Sequence, residues 1–201
     1  MADLHDLTAL EQAAAIRAGE TTSLELTEHY LARTDRLDAT VGAFITRTDD
    51  LARDAARAAD ARIASADAGE PLGALFGTVV PAKDLVFVAG VRCTLGSVAY
   101  DMTPYGDDNV VTRMRQGGLV ITGKTNTPEF GLPCYTETAV APPARTPWDL
   151  SRSAGGSGFS AGSTTMAPAA PRCSAVSRRR SSRPGACAPR SRSRTRCASR
   201  P

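Results

Sequence analysis

The sequence predicts an α/β chain that opens with a helical hairpin and ends in a disordered basic tail. Three observations carry this. Two helix-start signatures stand close together in the first 25 residues, two apolar β-branched runs flank a helical segment between Thr78 and Thr122, and composition changes abruptly after Ala170. Thr8-Ala9-Leu10-Glu11 is a capping box, in which the Thr hydroxyl and the Glu carboxylate each satisfy an open N–H, and Gly19 closes the helix where a left-handed residue is wanted. Thr22-Ser23-Leu24-Glu25 repeats the device for a second helix reaching about Leu37. Ala43-Phe44-Ile45-Thr46 is a short strand, and Asp49 to about Ala66 an Ala-rich helix with Leu51, Ala55, Ala58 and Ile63 on roughly one face. Its small side chains call for close packing against a neighbour.

From Gly77 the pattern changes. Thr78-Val79-Val80-Pro81-Ala82 reads as a buried strand, Val110 to Gln116 as a helix ended by Gly117-Gly118, and Leu119-Val120-Ile121-Thr122 as a second buried strand. Strand, helix and strand with short Gly-marked joints make an α/β unit. Pro142-Pro143 starts a loop that runs through Pro147-Trp148-Asp149-Leu150 into the Gly- and Ser-rich stretch up to Thr165. Residues 1–170 therefore read as one domain part and residues 171–201 as a tail. Beyond Ala170 the only large aliphatic side chain is Val176, too little apolar surface to offset chain entropy.

The formal charge of +3 averages two unlike segments. Up to Ala170 there are 14 basic and 21 acidic residues, a balance of −7, whereas the tail has ten Arg and no acid, a balance of +10. Only Lys83 and Lys124 are lysines. No run is long and apolar enough for a membrane span, and Met1-Ala2-Asp3-Leu4-His5-Asp6 lacks the basic-then-apolar order of a secretory signal, so a cytoplasmic protein without a membrane partner is expected. The five cysteines are odd in number and none are at C-x-x-C spacing, which indicates neither a disulfide framework nor a metal site. A His general base has two candidates, His5 and His29.

Two short motifs do not stand up to their physics. Gly118-Leu119-Val120-Ile121-Thr122-Gly123-Lys124-Thr125 matches the phosphate-loop pattern, but its four variable positions are a β-branched strand rather than a turn able to wrap an anion. Gly158-Phe159-Ser160-Ala161-Gly162 matches a nucleophile elbow, but no carboxylate or histidine follows to complete a triad. The basic tail would attract phosphate non-specifically; with no aromatic residue to stack on bases it predicts no specific nucleic-acid partner.

Three longer blocks remain: Gly77-Thr78-Val79-Val80-Pro81-Ala82-Lys83-Asp84-Leu85, Gly123-Lys124-Thr125-Asn126-Thr127-Pro128-Glu129-Phe130-Gly131, and Pro147-Trp148-Asp149-Leu150-Ser151-Arg152-Ser153-Ala154-Gly155-Gly156-Ser157. In sequence, order and spacing they resemble the amidase signature family over about residues 3–157. The resemblance implies a mixed β-sheet flanked by helices, here incomplete, and cleavage of a small-molecule amide without a cofactor. It allows a homodimer in the full-length family. A serine nucleophile, a relay serine with a cis peptide bond and a lysine base are the family's catalytic groups; Lys83 corresponds to the base and Ser157 to the relay, with Gly156 easing the cis bond. The physical requirement is independent of the resemblance. A lysine acts as a base only when neutral, and burial favours that form. Without the flanking match, Lys83 reads as a surface lysine paired with Asp84. By the same resemblance Lys124 belongs to the turn after a core strand, paired with Glu129, while Asn126 and Thr127 either line the site or cap the turn.

Beyond Ser157 the sequence departs from the family. The nucleophile belongs about two dozen residues further on, near Ser181 and Ser182, but Arg178-Arg179-Arg180 and Arg183-Pro184 supply no glycine turn to present oxyanion donors. A reading-frame shift in GC-rich coding sequence accounts for the Arg, Pro, Ser, Ala and Cys that replace Gly, Ala and Asp. The expectation is a truncated, inactive amidase fragment; the alternatives are the glutamine-hydrolysing subunit of a tRNA amidotransferase and a non-catalytic binding or pseudogene product.

Overall fold

The computed structural model describes residues 3–66 and 71–156. Helix α1 (Ala9–Ala18) and helix α2 (Ser23–Val41) form the expected hairpin. Both capping boxes are made: Thr8 Oγ1 accepts from Glu11 N–H and Thr22 Oγ1 from Glu25 N–H, while each Glu carboxylate takes the cap residue's own N–H. Gly19 closes α1 at φ 73°. Helix α2 runs four residues beyond the expected Leu37, because the next left-handed cap is Gly42 and because Asp38, within its last turn, accepts from Ala43 and Phe44 N–H and so ties the helix to the next strand. His5 and His29 bond to each other across this layer, Nδ1 to Nε2 at 2.9 Å with stacked rings, and His29 is held below its ordinary pKa by burial first and by His5 second.

Strand β1 (Phe44–Arg47) leads into helix α3 (Asp49–Ala64). The face that α3 buries is Ala52, Ala56 and Ala59, with Ala55 partly covered. Leu51, expected on that face, is 54% exposed. Small residues won the interface because Ala52 and Ala56 meet Val120 of the central strand directly, leaving no depth for a leucine.

The sheet has three strands in the order β1, β3, β2, with β2 (Val79–Lys83) parallel and β1 antiparallel to the central β3 (Val120–Thr125). Helix α4 (Asn109–Gln116) makes the crossover between the parallel strands, as a parallel pair demands. Its Val111 packs with Ala82, Val88, Val91 and Ile121 on one face, while Val79 and Val120 face α2 and α3 on the other. The sheet is therefore mixed and covered on both faces. No helix among the described residues is long and apolar enough to cross a membrane. The stretch read as a loop after Pro143 contains a small antiparallel hairpin, β4 (Arg145–Thr146) with β5 (Asp149–Ser153), turned at Pro147-Trp148. Its β5 is mostly exposed and polar, so it carries no apolar alternation to read.

From Val120 on, the phosphate-loop match is strand, with Gly123, Lys124 and Thr125 buried inside β3. Lys124 is thus not in a turn, nor paired with Glu129, whose carboxylate accepts from Ser97 Oγ. Its Nζ lies 2.7 Å from Asp84 Oδ1, and both side chains are 0% exposed. The cause is a slip in the ladder: Val80 pairs with Ile121 but Ala82 with Lys124, so β3 has one residue more than β2 across this step. Strict alternation would turn Lys124 toward the face of Val120; the extra residue turns it to the face of Ile121 and Ala82, where Asp84 waits. Gly123 makes the slip possible, at φ 151° with β1 so close that a Cβ would meet Thr46 O at 2.5 Å.

Four variants test this account by urea unfolding. Gly123→Ala should cost about 1–3 kcal/mol through its backbone position, against about 1 kcal/mol for the cap loss in Thr22→Ala. Lys124→Met should cost about 3–5 kcal/mol by stranding a buried carboxylate, and Asp84→Asn/Lys124→Met should recover most of that loss. A double variant as unstable as the single one would mean that packing rather than charge holds this position.

Candidate functional site

Lys83 ends β2, in register with Thr125. Because successive side chains alternate across a strand, it points away from the face that holds Ala82 and Asp84. It is half-buried, and that burial lowers the pKa of its ammonium. Among the described residues no hydrogen bond or ion pair engages its amine. Asp84 does not pair with it: Oδ1 is taken by Lys124, and Oδ2 accepts from Thr94 N–H at 2.9 Å and Thr94 Oγ1 at 2.6 Å. Asp84 N–H in turn donates to Thr125 O at 3.0 Å, which extends the ladder one residue past Lys83. The surface-pair reading of Lys83 fails on these contacts.

The surroundings of this strand end are polar and closely packed. Thr125 and Thr127 are fully buried, and their hydroxyls have no partner among the described residues. Asn126 is a tie rather than a lining group. Its amide donates to Gly42 O at 3.1 Å and Pro142 O at 2.9 Å, and its Oδ1 accepts from Thr127 N–H, joining three separate segments. Among the described residues, two other than glycine hold a left-handed backbone, Leu95 at φ 52° and Phe130 at φ 51°, and Phe130 N–H donates to Leu95 O at 2.8 Å. Such strain persists only where the surroundings over-determine it. Leu95 directly follows Thr94, so its bond with Phe130 ties the loop that supplies Thr94 to the turn at Glu129–Gly131. Neither Thr94 nor this strained pair has a sequence signal, since each depends on a contact between distant segments.

The approach to Ser157 is described as far as Gly156. Ala154 N–H donates to Ala144 O at 2.8 Å, and Thr136 Oγ1 to Gly155 O at 2.8 Å, so the Gly155-Gly156 segment is anchored on both sides. Ser157 itself lies outside the described residues, as do the match at Gly158–Gly162, Ser181, Ser182 and the basic tail. The two histidines are bonded to each other in the N-terminal helical layer. Asp3, His5 and Asp6 there bring one ligand atom each within 4.8 Å, the closest approach to a metal-binding set among the described residues, with both carboxylates exposed. An open depression lined by Arg47, Asp49, Leu51 and Arg92 does not include Lys83. Its guanidiniums are paired, Arg47 with Asp35 and Asp49 and Arg92 with Asp101.

Comparison with known proteins gives this geometry a family. The sequence pattern of the Amidase family matches residues 25–169. The glutamyl-tRNA(Gln) amidotransferase protein of Salinispora arenicola (strain CNS-205) is 43% identical over 159 residues, which are 79% of this chain and 32% of that protein. Its namesake from Alkalilimnicola ehrlichii is 42% identical over 172 residues, 83% of this chain and 34% of that one. Both are single subunits of their amidotransferases. Among solved structures, 6-aminohexanoate cyclic dimer hydrolase superposes with a TM-score of 0.72 at 30% identity, covering 84% of this chain and 34% of its own. Peptide amidase from Stenotrophomonas maltophilia gives 0.69 at 29% identity, over 77% and 33%. The chain spans about a third of the length of the curated relatives it matches. By the extent of the family match and the shared fold, the chain belongs to the amidase signature family.

Proposed function

We propose that this chain carries the N-terminal part of an amidase that hydrolyses the C–N bond of a linear carboxamide, with Lys83 as the base and Ser157 as the proton relay. The observation that carries the proposal is the state of Lys83: half-buried at a strand end, its ammonium disfavoured by desolvation, and its neighbouring carboxylate already occupied. A neutral amine there can accept a proton. In the proposed reaction a serine hydroxyl attacks the amide carbonyl, and its proton passes to the Ser157 hydroxyl as the Ser157 proton passes to Lys83. The protonated lysine returns a proton by the same route to the departing amine nitrogen. The acyl ester left behind is cleaved by water, whose proton passes through Ser157 to Lys83 and returns by the same route to the departing serine oxygen, releasing the carboxylate. The pairing of β2 with β3 holds the strand end that bears Lys83, and the Thr136 anchor holds the Gly155-Gly156 segment that leads to Ser157.

We read the 201-residue chain as inactive by itself, because the serines at the nucleophile's spacing, Ser181 and Ser182, stand among arginines without a glycine turn. A second reading has its own support. The relatives at 42–43% identity are amidotransferase subunits, so a glutamine-hydrolysing subunit is the alternative to a stand-alone enzyme. Thr127-Pro128-Glu129-Phe130 has the look of the stand-alone amidases, and co-purification with partner subunits separates the two. A cytoplasmic location belongs to either reading.

The purified chain should give no turnover on simple aliphatic and aromatic amides; turnover abolished by Lys83→Ala would overturn the proposed inactivity, and turnover that survives it would overturn the site. Resequencing around the codons for Ser157 to Pro171 should reveal a Gly-rich, serine-bearing strand in another frame. In the frame-restored protein Lys83→Ala should lower kcat by about 10²–10⁴-fold. Since only the neutral amine is active, kcat/KM should fall as pH falls through the Lys83 titration, with a midpoint below the ordinary 10.5.

A further inference from the structure

The ion pair of Asp84 and Lys124 lies one residue from the proposed base, and its arrangement bears on how that base stays neutral. A carboxylate adjacent in sequence to a half-buried lysine would hold the amine as ammonium, since opposite charges stabilise each other strongly where water is sparse. Asp84 cannot move away, because its N–H is fixed to Thr125 O and its Oδ2 to two groups of Thr94. Its charge has to be cancelled where it stands.

We propose that Lys124 is a positioning residue for Lys83: by closing the Asp84 carboxylate into a buried ion pair on the opposite face of the sheet, it removes the charge that would otherwise keep the Lys83 amine protonated. The inference rests on the reading of Lys83 as the base. Its geometry is in the ladder. The slip at Gly123 sends Lys124 to the face of Asp84, and Lys83 keeps the other face with Thr125. Without the slip both lysines would share one face, and Asp84 would be left with no cation but Lys83.

Other charged and titratable groups near the pair are accounted for. Cys93, on the loop after β2, bonds through its thiol to Asp84 O, and burial raises its pKa, so it stays neutral. Arg92 feels the Asp84 charge but is held by Asp101. Glu129 accepts from Ser97. Lys124 is the cation in contact with Asp84, and it carries the compensation.

Because the sequence has only two lysines, the test can read Lys83 directly, without turnover. The folded 201-residue chain is reductively methylated with ¹³C-formaldehyde, and the dimethyl-lysine resonance of the accessible Lys83 is followed against pH by NMR. Lys124→Gln, which keeps a hydrogen-bond donor but removes the charge, should raise the Lys83 midpoint by about one pH unit or more, as an uncompensated charge several ångströms away in a poorly solvated site requires. Asp84→Asn/Lys124→Gln, with both charges gone, should leave it within about half a unit of the unsubstituted chain. An unchanged midpoint in a folded Lys124→Gln overturns the inference. If that variant does not fold, the double variant decides: a midpoint moved by about a unit or more shows that Lys124 was not cancelling Asp84. Activity tests of Lys83→Ala can fail or succeed independently of either result, so the two readings are separable.

Discussion

A buried lysine and a buried aspartate 2.7 Å apart, neither touching solvent, constrain everything around them. Either charge left alone in that environment would be strongly destabilising, so the fold has to deliver both to the same place. Delivery takes a parallel pairing of β2 with β3, a one-residue slip in that pairing, a glycine at the slip, and a loop that returns Thr94 to the second carboxylate oxygen. The apolar cluster of Ala82, Val88, Val91, Val111 and Ile121 then seals one side of the arrangement. The pair contributes less to stability than to choice of register, because any other alignment of β3 would strand a charge.

The same constraint explains why the chain's two lysines differ in chemistry although they sit on neighbouring strands. Lys124 is fully buried and has a partner; Lys83 is half-buried and has none among the described residues. Burial with a partner gives a fixed ion. Burial without one lowers the pKa, and that suits a proton acceptor. Position relative to the slip, not composition, sorts one from the other.

Much of this was legible in the sequence because it is local. The helix starts were readable from Thr8, Glu11, Thr22 and Glu25, since a capping box is satisfied within four residues. The two buried strands were readable from their β-branched runs. The face of α3 was misread because Leu51 outweighs any alanine in an apolar pattern, whereas the contact with β3 selects for size. The β4–β5 hairpin was missed because β5 is mostly polar and exposed, with Leu150 as its one apolar side chain. Lys124 was misplaced for a deeper reason: a turn and a slipped strand place the same Gly-Lys-Thr letters in different surroundings, and only pairing with β2 distinguishes them. Its partner Asp84 lies 40 residues earlier, beyond the reach of any local rule.

Alternation along β3 also carries a signal for the slip. In β3, counting from Ile121 by twos reaches Gly123 and Thr125, which would leave Lys124 on the face occupied by Val120, Ala52 and Ala56. The cluster on that face is apolar, so an unslipped strand would bury an ammonium against alanines. The sequence therefore contains a contradiction, a lysine at an apolar strand position, and a glycine immediately before it. A bulge at that glycine resolves the contradiction, since it reverses the face of the residues after it at the cost of one unpaired step. A charged residue in the middle of a buried run, preceded by glycine, is thus a reason to look for a slip and for a distant counter-charge before assigning the segment to a loop.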